Sequence, residues 1–187
     1  MKYLKITLAS LIIFLSSINF VQSQSQSQSQ SQNTETTYTI SSDDKITITV
    51  FNEPDLSVDV VRIGSNGTIS MPLIGQVQVA GLSVTEIEDK LTTLYLNGYL
   101  KSPKVSIGVV EYRPFYINGE VASPGSYSFR KGLTVEKAIT LAGGFTNRAS
   151  KSNILIVSEK DNQLSRKVNV TDLVKPGDVL TVNESFF

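Results

Sequence analysis

From Tyr38 onward apolar and polar residues alternate with period two: Ile46, Ile48 and Val50 are separated by Thr47 and Thr49, the pattern of a strand with one buried face. Asn66-Gly67 is a strong turn dipeptide, and alternation resumes at Ile69, Met71 and Leu73 and, after Gly75, at Val77 and Val79, which predicts hairpins. The period then changes. Val84, Ile87, Leu91, Leu94 and Tyr95 fall on one helical face. Ser83 with Glu86 three residues on forms a capping box, Leu82 can staple onto Ile87, and Gly98 stands where a helix ends.

The second half repeats this grammar. A strand through Tyr127 and Phe129 leads to Gly132-Leu133-Thr134-Val135, matching Gly81-Leu82-Ser83-Val84. A short helix follows with Val135, Ala138, Ile139 and Ala142 inward, ended by Gly143-Gly144. Strands are predicted at Ile154 to Val157, Val168 to Val170 and, after the turn Pro176-Gly177-Asp178, at Val179 to Val182. Two such units predict an α+β fold of two small mixed β-sheet units, each with a helix packed on one face. The boundary falls near Arg113-Pro114, because proline removes a ladder donor and restricts its predecessor. "SSDDKITITVFNE" and "KPGDVLTVNES" echo each other. Either both strands enter the first sheet and tie the termini together, or the echo is common turn-strand grammar.

At the N-terminus Lys2 and Lys5 precede an apolar run from Ile6 to Phe20 and then Val21-Gln22-Ser23, the layout of a cleaved signal peptide over residues 1–23. Ser25 would serve as well as Ser23. Ser23 to Gln32 is a Ser-Gln repeat with no apolar residue to offset the entropy of ordering it, so residues 24–37 read as a flexible linker. Lys+Arg and Asp+Glu are 17 each; cleavage would leave 15 against 17, with no concentrated positive surface for nucleic acid. Phe186 and Phe187 end the chain, which leaves too little after Val182 for a spanning helix of roughly 20 residues.

Composition removes most catalytic chemistry. There is no histidine and no cysteine, so His-based triads, His or thiolate metal sites, disulfides and a lipid-bearing cysteine are excluded. Ser42 to Lys45 and Ser128 to Lys131 have Ser-x-x-Lys spacing on turns or strands, not on helices. Glu53 with Asp55 or Asp59 is the remaining carboxylate pair. Glu86, Glu88 and Asp89 suit the first turns of a helix, where carboxylates meet its dipole. No phosphate-cradling loop is present. No catalytic residue, no metal ligand and no cofactor are expected. Tyr112, Tyr116 and Tyr127 are candidate glycan contacts, either stacking on sugar rings or filling sheet core beside Phe115 and Phe129.

Taken in order, "YTISSDDKITITVFNEPDLS", "VRIGSNGTISMPLIGQVQVAGLSVTEIEDKL" and "GYLKSPKVSIGVVEY" resemble the export domain of bacterial outer-membrane polysaccharide export proteins of the Wza type. "FYINGEVASPGSYSFRKGLTVEKAITLAGGFTNRAS" resembles their soluble ligand-binding β-grasp (SLBB) repeat. The resemblance rests on scaffold positions: Asn66, Gly67, Pro72, Gly75, Gly81, Gly119, Pro124, Gly125, Gly143, Gly144, Pro176, Gly177 and Asp178. It implies an export domain at 38–112, a β-grasp-like domain at 113–187, a ring-like homo-oligomer and no catalysis. Implied partners are polysaccharide, an inner-membrane copolymerase and a separate outer-membrane barrel to which Phe186 and Phe187 could dock. The alternative is a periplasmic carbohydrate- or peptidoglycan-binding module without a channel.

Overall fold

In the computed structural model, which describes residues 38–158 and 164–185, β1 (Lys45–Val50) buries Ile46, Ile48 and Val50 on one face. It is the middle strand of an antiparallel sheet with β2 (Val58–Arg62) and β5 (Val105–Glu111) at its edges. A separate hairpin, β3 (Thr68–Met71) and β4 (Gly75–Gln78), contributes Ile69, Met71 and Val77 to the same core. Helix α1 (Val84–Leu96) closes that core with Ile87 and Leu91. The signal-peptide and linker expectations, and those for Phe186 and Phe187, lie outside the described residues.

The capping box forms as spaced: Ser83 Oγ accepts from Glu86 N, and the Glu86 carboxylate accepts from Ser83 N at 2.7 Å. Glu88 differs from the expectation. Its carboxylate leaves the helix end and accepts the Ile107 N–H at 2.8 Å, satisfying an edge-strand donor that would otherwise be open to another chain. Asn66-Gly67 makes its turn, with Gly64 N donating to Thr68 O. It closes no hairpin, however, because β2 pairs with β1 and β3 with β4.

The second half is a five-stranded sheet in the order β7 (Gly125–Tyr127), β6 (Phe115–Gly119), β10 (Val179–Glu184), β8 (Ala149–Val157) and β9 (Ser165–Val168). Parallel pairing is confined to β6 and β10. Helix α2 (Val135–Leu141) covers one face with Val135, Ala138 and Ile139. It ends in a Schellman motif, with Gly144 N donating to Ile139 O and Gly143 N to Thr140 O. Pro124 leads directly into β7, and the chain reverses over Gly119 to Ser123. The strand expected at Val168 to Val170 begins three residues earlier and ends at Val168, and Val170 instead offers its carbonyl to Glu136 N at the start of α2.

The last strand does not return to the first sheet. Leu180 and Val182 are fully buried, and Leu180 sits opposite Ile117 on β6 and Ile156 on β8, so the apolar face of β10 completes the second core. Gly119 is required at this crossing: its φ is +83° and a Cβ there would lie 2.1 Å from Val182 O. The described residues form an α+β fold with three small sheets and two α-helices, and no closed barrel forms among them.

The echo between the two ends is a structural equivalence across two sheets. Asp44 and Asp178 each precede the central strand of their own sheet, and their carbonyls accept from Ile63 N and Tyr116 N, both at 2.9 Å. Just upstream, Ile40 N donates to Leu82 O and Val174 N to Leu133 O, again both at 2.9 Å. Each carbonyl acceptor immediately precedes its helix cap, Ser83 or Thr134. The same strand, turn and cap therefore occur twice, ahead of the helix in one half and after it in the other.

Candidate functional site

Arg113 joins the halves. Its backbone N–H donates to Asp44 Oδ1 at 2.7 Å and its guanidinium to the Tyr38 hydroxyl at 2.8 Å. Asp44 is fully buried and its Oδ2 accepts from Tyr38 Oη at 2.5 Å and Ser41 N at 2.8 Å, with the guanidinium 3.5 Å away. A buried carboxylate persists only with such a complement of donors. Burial, then the Asp44 hydrogen bond and charge, pushes the Tyr38 hydroxyl well above the ordinary tyrosine range.

Beside this link Tyr112 is fixed between two rings, Tyr38 at 4.9 Å and Phe129 at 5.4 Å, both edge to face. Tyr112 and Tyr127 line an open groove of about 310 Å³, with Asp43, Arg62 and Glu111 along its other wall. Tyr127 leans on Phe115 at 6.0 Å and donates its hydroxyl to Ser123 O. The third candidate, Tyr116, lies apart: it lines a second groove of about 260 Å³ with Ser42, Gly177 and Val179. Asp43 and Pro114 border both grooves. Phe115 and Ile117, as their alternation predicts, are core.

The charges of the first groove are paired. Arg62 Nη1 lies 3.6 Å from Asp43 Oδ1, and Lys45 Nζ is 2.5 Å from Glu111 Oε2. That hydrogen bond, then the Lys45 charge, holds Glu111 below the ordinary carboxylate range. Asp43 is exposed with φ +69° beside buried Asp44, so adjacent aspartates face opposite surroundings. Asp178 differs from Asp44: its Oδ2 accepts from Lys175 N at 2.8 Å, while Oδ1, although buried, has no hydrogen-bond partner within 3.5 Å. Burial raises its affinity for a proton, against the pull of the Lys175 N–H, the Ser158 hydroxyl and the Lys175 and Arg166 charges.

Lys45 is engaged by Glu111 and is not available as a base for Ser42. Among the described residues no group of three or more acidic side chains is placed to hold a metal ion. Sequence reading reaches the aromatic half of the groove and misses Asp43, Arg62 and Glu111. These meet because Lys45 pairs in register with both Arg62 on β2 and Glu111 on β5, a long-range fact whose only sequence trace is the Asp43-Asp44-Lys45 triplet.

Residues 32–110 match the polysaccharide biosynthesis/export protein family, and residues 114–168 match the SLBB domain. The chain is 27% identical over 136 residues to the exopolysaccharide production protein ExoF of Rhizobium meliloti (strain 1021), covering 65% of this chain and 32% of that protein. It is 26% identical over 170 residues to the EPS I polysaccharide export outer membrane protein EpsA of Ralstonia solanacearum, covering 76% of this chain and 45% of that protein. A shorter stretch of 68 residues, 35% of this chain and 12% of that protein, is 34% identical to the polysialic acid transport protein KpsD of Escherichia coli. The chain thus spans about a third of the length of ExoF and just under half of that of EpsA. An export domain leading through Arg113 into one SLBB domain, together with the likeness to ExoF and EpsA, supports a polysaccharide export protein.

Proposed function

We propose that the protein is a non-catalytic component of capsular or exopolysaccharide export, acting in the periplasm and associated with the outer membrane through a partner. Copies assemble into a ring-like homo-oligomer that forms part of a conduit and passes polymer onward without altering it. An inner-membrane copolymerase stands on one side and a separate outer-membrane barrel or pore on the other. The observation that carries this reading is the ordered pair of domains, export then SLBB, in one chain. The described names of ExoF, EpsA and KpsD, production, export and transport of polysaccharide, point the same way.

Assembly has a physical basis at one end of the export half. Phe51, Leu73, Leu96 and Tyr99 are exposed there. They adjoin the small buried cluster of Val50, Leu56 and Tyr95, whose hydroxyl donates to Pro72 O. Leu73 holds φ +65°, a conformation that costs a leucine energy and so points to a role beyond packing. We assign this end to contact with a second copy, since grouped exposed apolar side chains mark association surfaces.

The test is surface, periplasmic and total polysaccharide in a strain lacking the protein and in one re-expressing it. Loss from the surface with recovery on re-expression is expected; unchanged surface polymer of every kind overturns the export reading. The groove at Tyr112 and Tyr127 favours one alternative, a carbohydrate- or peptidoglycan-binding module with no channel. A monomeric native mass with measurable glycan affinity would select it.

A further inference from the structure

We propose that the groove between Tyr112 and Asp43 is a subsite for an uncharged saccharide unit, from which a glycan chain passes over the Asp43–Pro114 ridge to Tyr116. The inference rests on the polysaccharide-handling reading above and adds to it a place and a chemical class. At about 310 Å³ and about 260 Å³ the two grooves are near the lower limit of ligand sites, roughly 300 Å³. Because Asp43 and Pro114 border both, the two grooves adjoin across a shared ridge, which suits an extended chain better than a compact small molecule.

The wall chemistry matches sugar hydroxyls, each of which both donates and accepts. The Asp43 and Glu111 carboxylates accept, Arg62 donates, and Ser126 and Ser128 do either. Tyr112, already fixed between Tyr38 and Phe129, presents a pre-ordered ring for the apolar face of a pyranose, so little side-chain freedom is lost on binding. Asp43 sits at φ +69° in the turn before β1, the place Gly177 takes at φ +82° in the equivalent turn before β10, and while Asp44 makes the buried bonds the Asp43 side chain stays in solvent, where a sugar hydroxyl can reach it.

Electrostatics selects the ligand class. Arg62 faces Asp43, Lys45 is engaged by Glu111, and Arg113, which lines the second groove, is held by Asp44 and Tyr38. A polyanion would find these cations already paired and the Asp43 and Glu111 carboxylates beside them, whereas a neutral sugar loses nothing by this pairing.

The experiment is amide NMR of the 15N-labelled chain of residues 24–187, which retains every described residue. Two probes are compared: the uncharged β-1,3-glucan hexamer laminarihexaose and the anionic hexamer of galacturonic acid. Laminarihexaose is expected to give saturable shifts confined to amides near Asp43, Arg62, Tyr112 and Tyr127, with affinity of about 1 mM. That affinity should hold between about 0.05 M and about 0.5 M salt, since no net charge is engaged. Asp43→Asn, which tolerates the same backbone, should keep the spectrum of a folded protein and weaken binding at least about fivefold. Three results would overturn the proposal: preference for the anionic hexamer, no response to laminarihexaose at about 20 mM, or shifts at these residues that follow protein concentration, which would mark a contact between copies. Surface polysaccharide in the deletion strain separates the two levels. If export fails there while Asp43→Asn binds and exports normally, the subsite is wrong and the export reading stands. If export is intact in the deletion strain, the export reading fails whatever the groove binds.

Discussion

Asp44 and Asp178 make the same turn at the head of two different sheets: Asp44 Oδ2 accepts from Ser41 N and Asp178 Oδ2 from Lys175 N, each three residues upstream and each at 2.8 Å. Their remaining partners differ, and so do the expected effects of one substitution. Asp44 also receives the Tyr38 hydroxyl and the Arg113 backbone N–H, and an amide in its place would turn a donor toward donors. Asp44→Asn is expected to cost about 3 kcal/mol in urea unfolding. Asp178 leaves Oδ1 buried and unpartnered, so Asp178→Asn should stabilise by about 1 kcal/mol at neutral pH.

The pH dependence of that second effect has a definite sign. Burial raises the Asp178 pKa above its ordinary 3.8, so the folded protein holds this proton more tightly than the unfolded chain. Its contribution to stability is full below the unfolded value and lost as pH rises through the folded one. The advantage of Asp178→Asn over the parent should therefore shrink as unfolding is measured from pH 7 down toward pH 3. An advantage that grows on acidification would contradict the burial argument.

Gly119 and Gly75 separate steric from conformational cost. Both have positive φ, +83° and +72°, but a Cβ on Gly119 would meet Val182 O at 2.1 Å and one on Gly75 meets nothing within 4 Å. Gly75→Ala is expected to cost about 1 kcal/mol and Gly119→Ala at least about 3 kcal/mol, read from urea midpoints.

The Ser83 cap predicts a smaller and local effect. Ser83→Ala removes the acceptor for Glu86 N and should cost about 1 kcal/mol. The backbone and side-chain hydrogen bonds from Ser83 lower the Glu86 pKa, so its contribution is present above the ordinary value of 4.5 and lost as pH falls through the folded value. Glu86→Gln should remove that part of the acid sensitivity, visible as a flatter stability profile below pH 5.

Self-association through the apolar end is testable by sedimentation. Replacing Phe51 and Tyr99 together with serine removes two exposed aromatics that support no described core cluster. Their burial against a neighbour would contribute roughly 2 kcal/mol each, so the pair should weaken association more than about tenfold while leaving the unfolding midpoint within about 0.5 kcal/mol of the parent.

Signals that act within a few residues were legible in the sequence. Alternation at Ile46, Ile48 and Val50, the Ser83–Glu86 box and the paired glycines at 143 and 144 state their structures directly, because strand faces, caps and helix ends are decided by neighbours within about one turn or one pleat. The groove's aromatic residues were legible for a similar reason, Tyr112 beside the Arg113-Pro114 junction and Tyr127 in alternation with Phe129. Only the tertiary structure decided which sheet received β10, since its alternating face fits either sheet until Leu180 meets Ile117 and Ile156. It alone also brought Asp43, Arg62 and Glu111 to one wall and Asp44 to Arg113, 69 residues away. A charged side chain exposed on a strand or turn carries no local mark of the partner it will meet, because strand pairing, not sequence distance, supplies that partner.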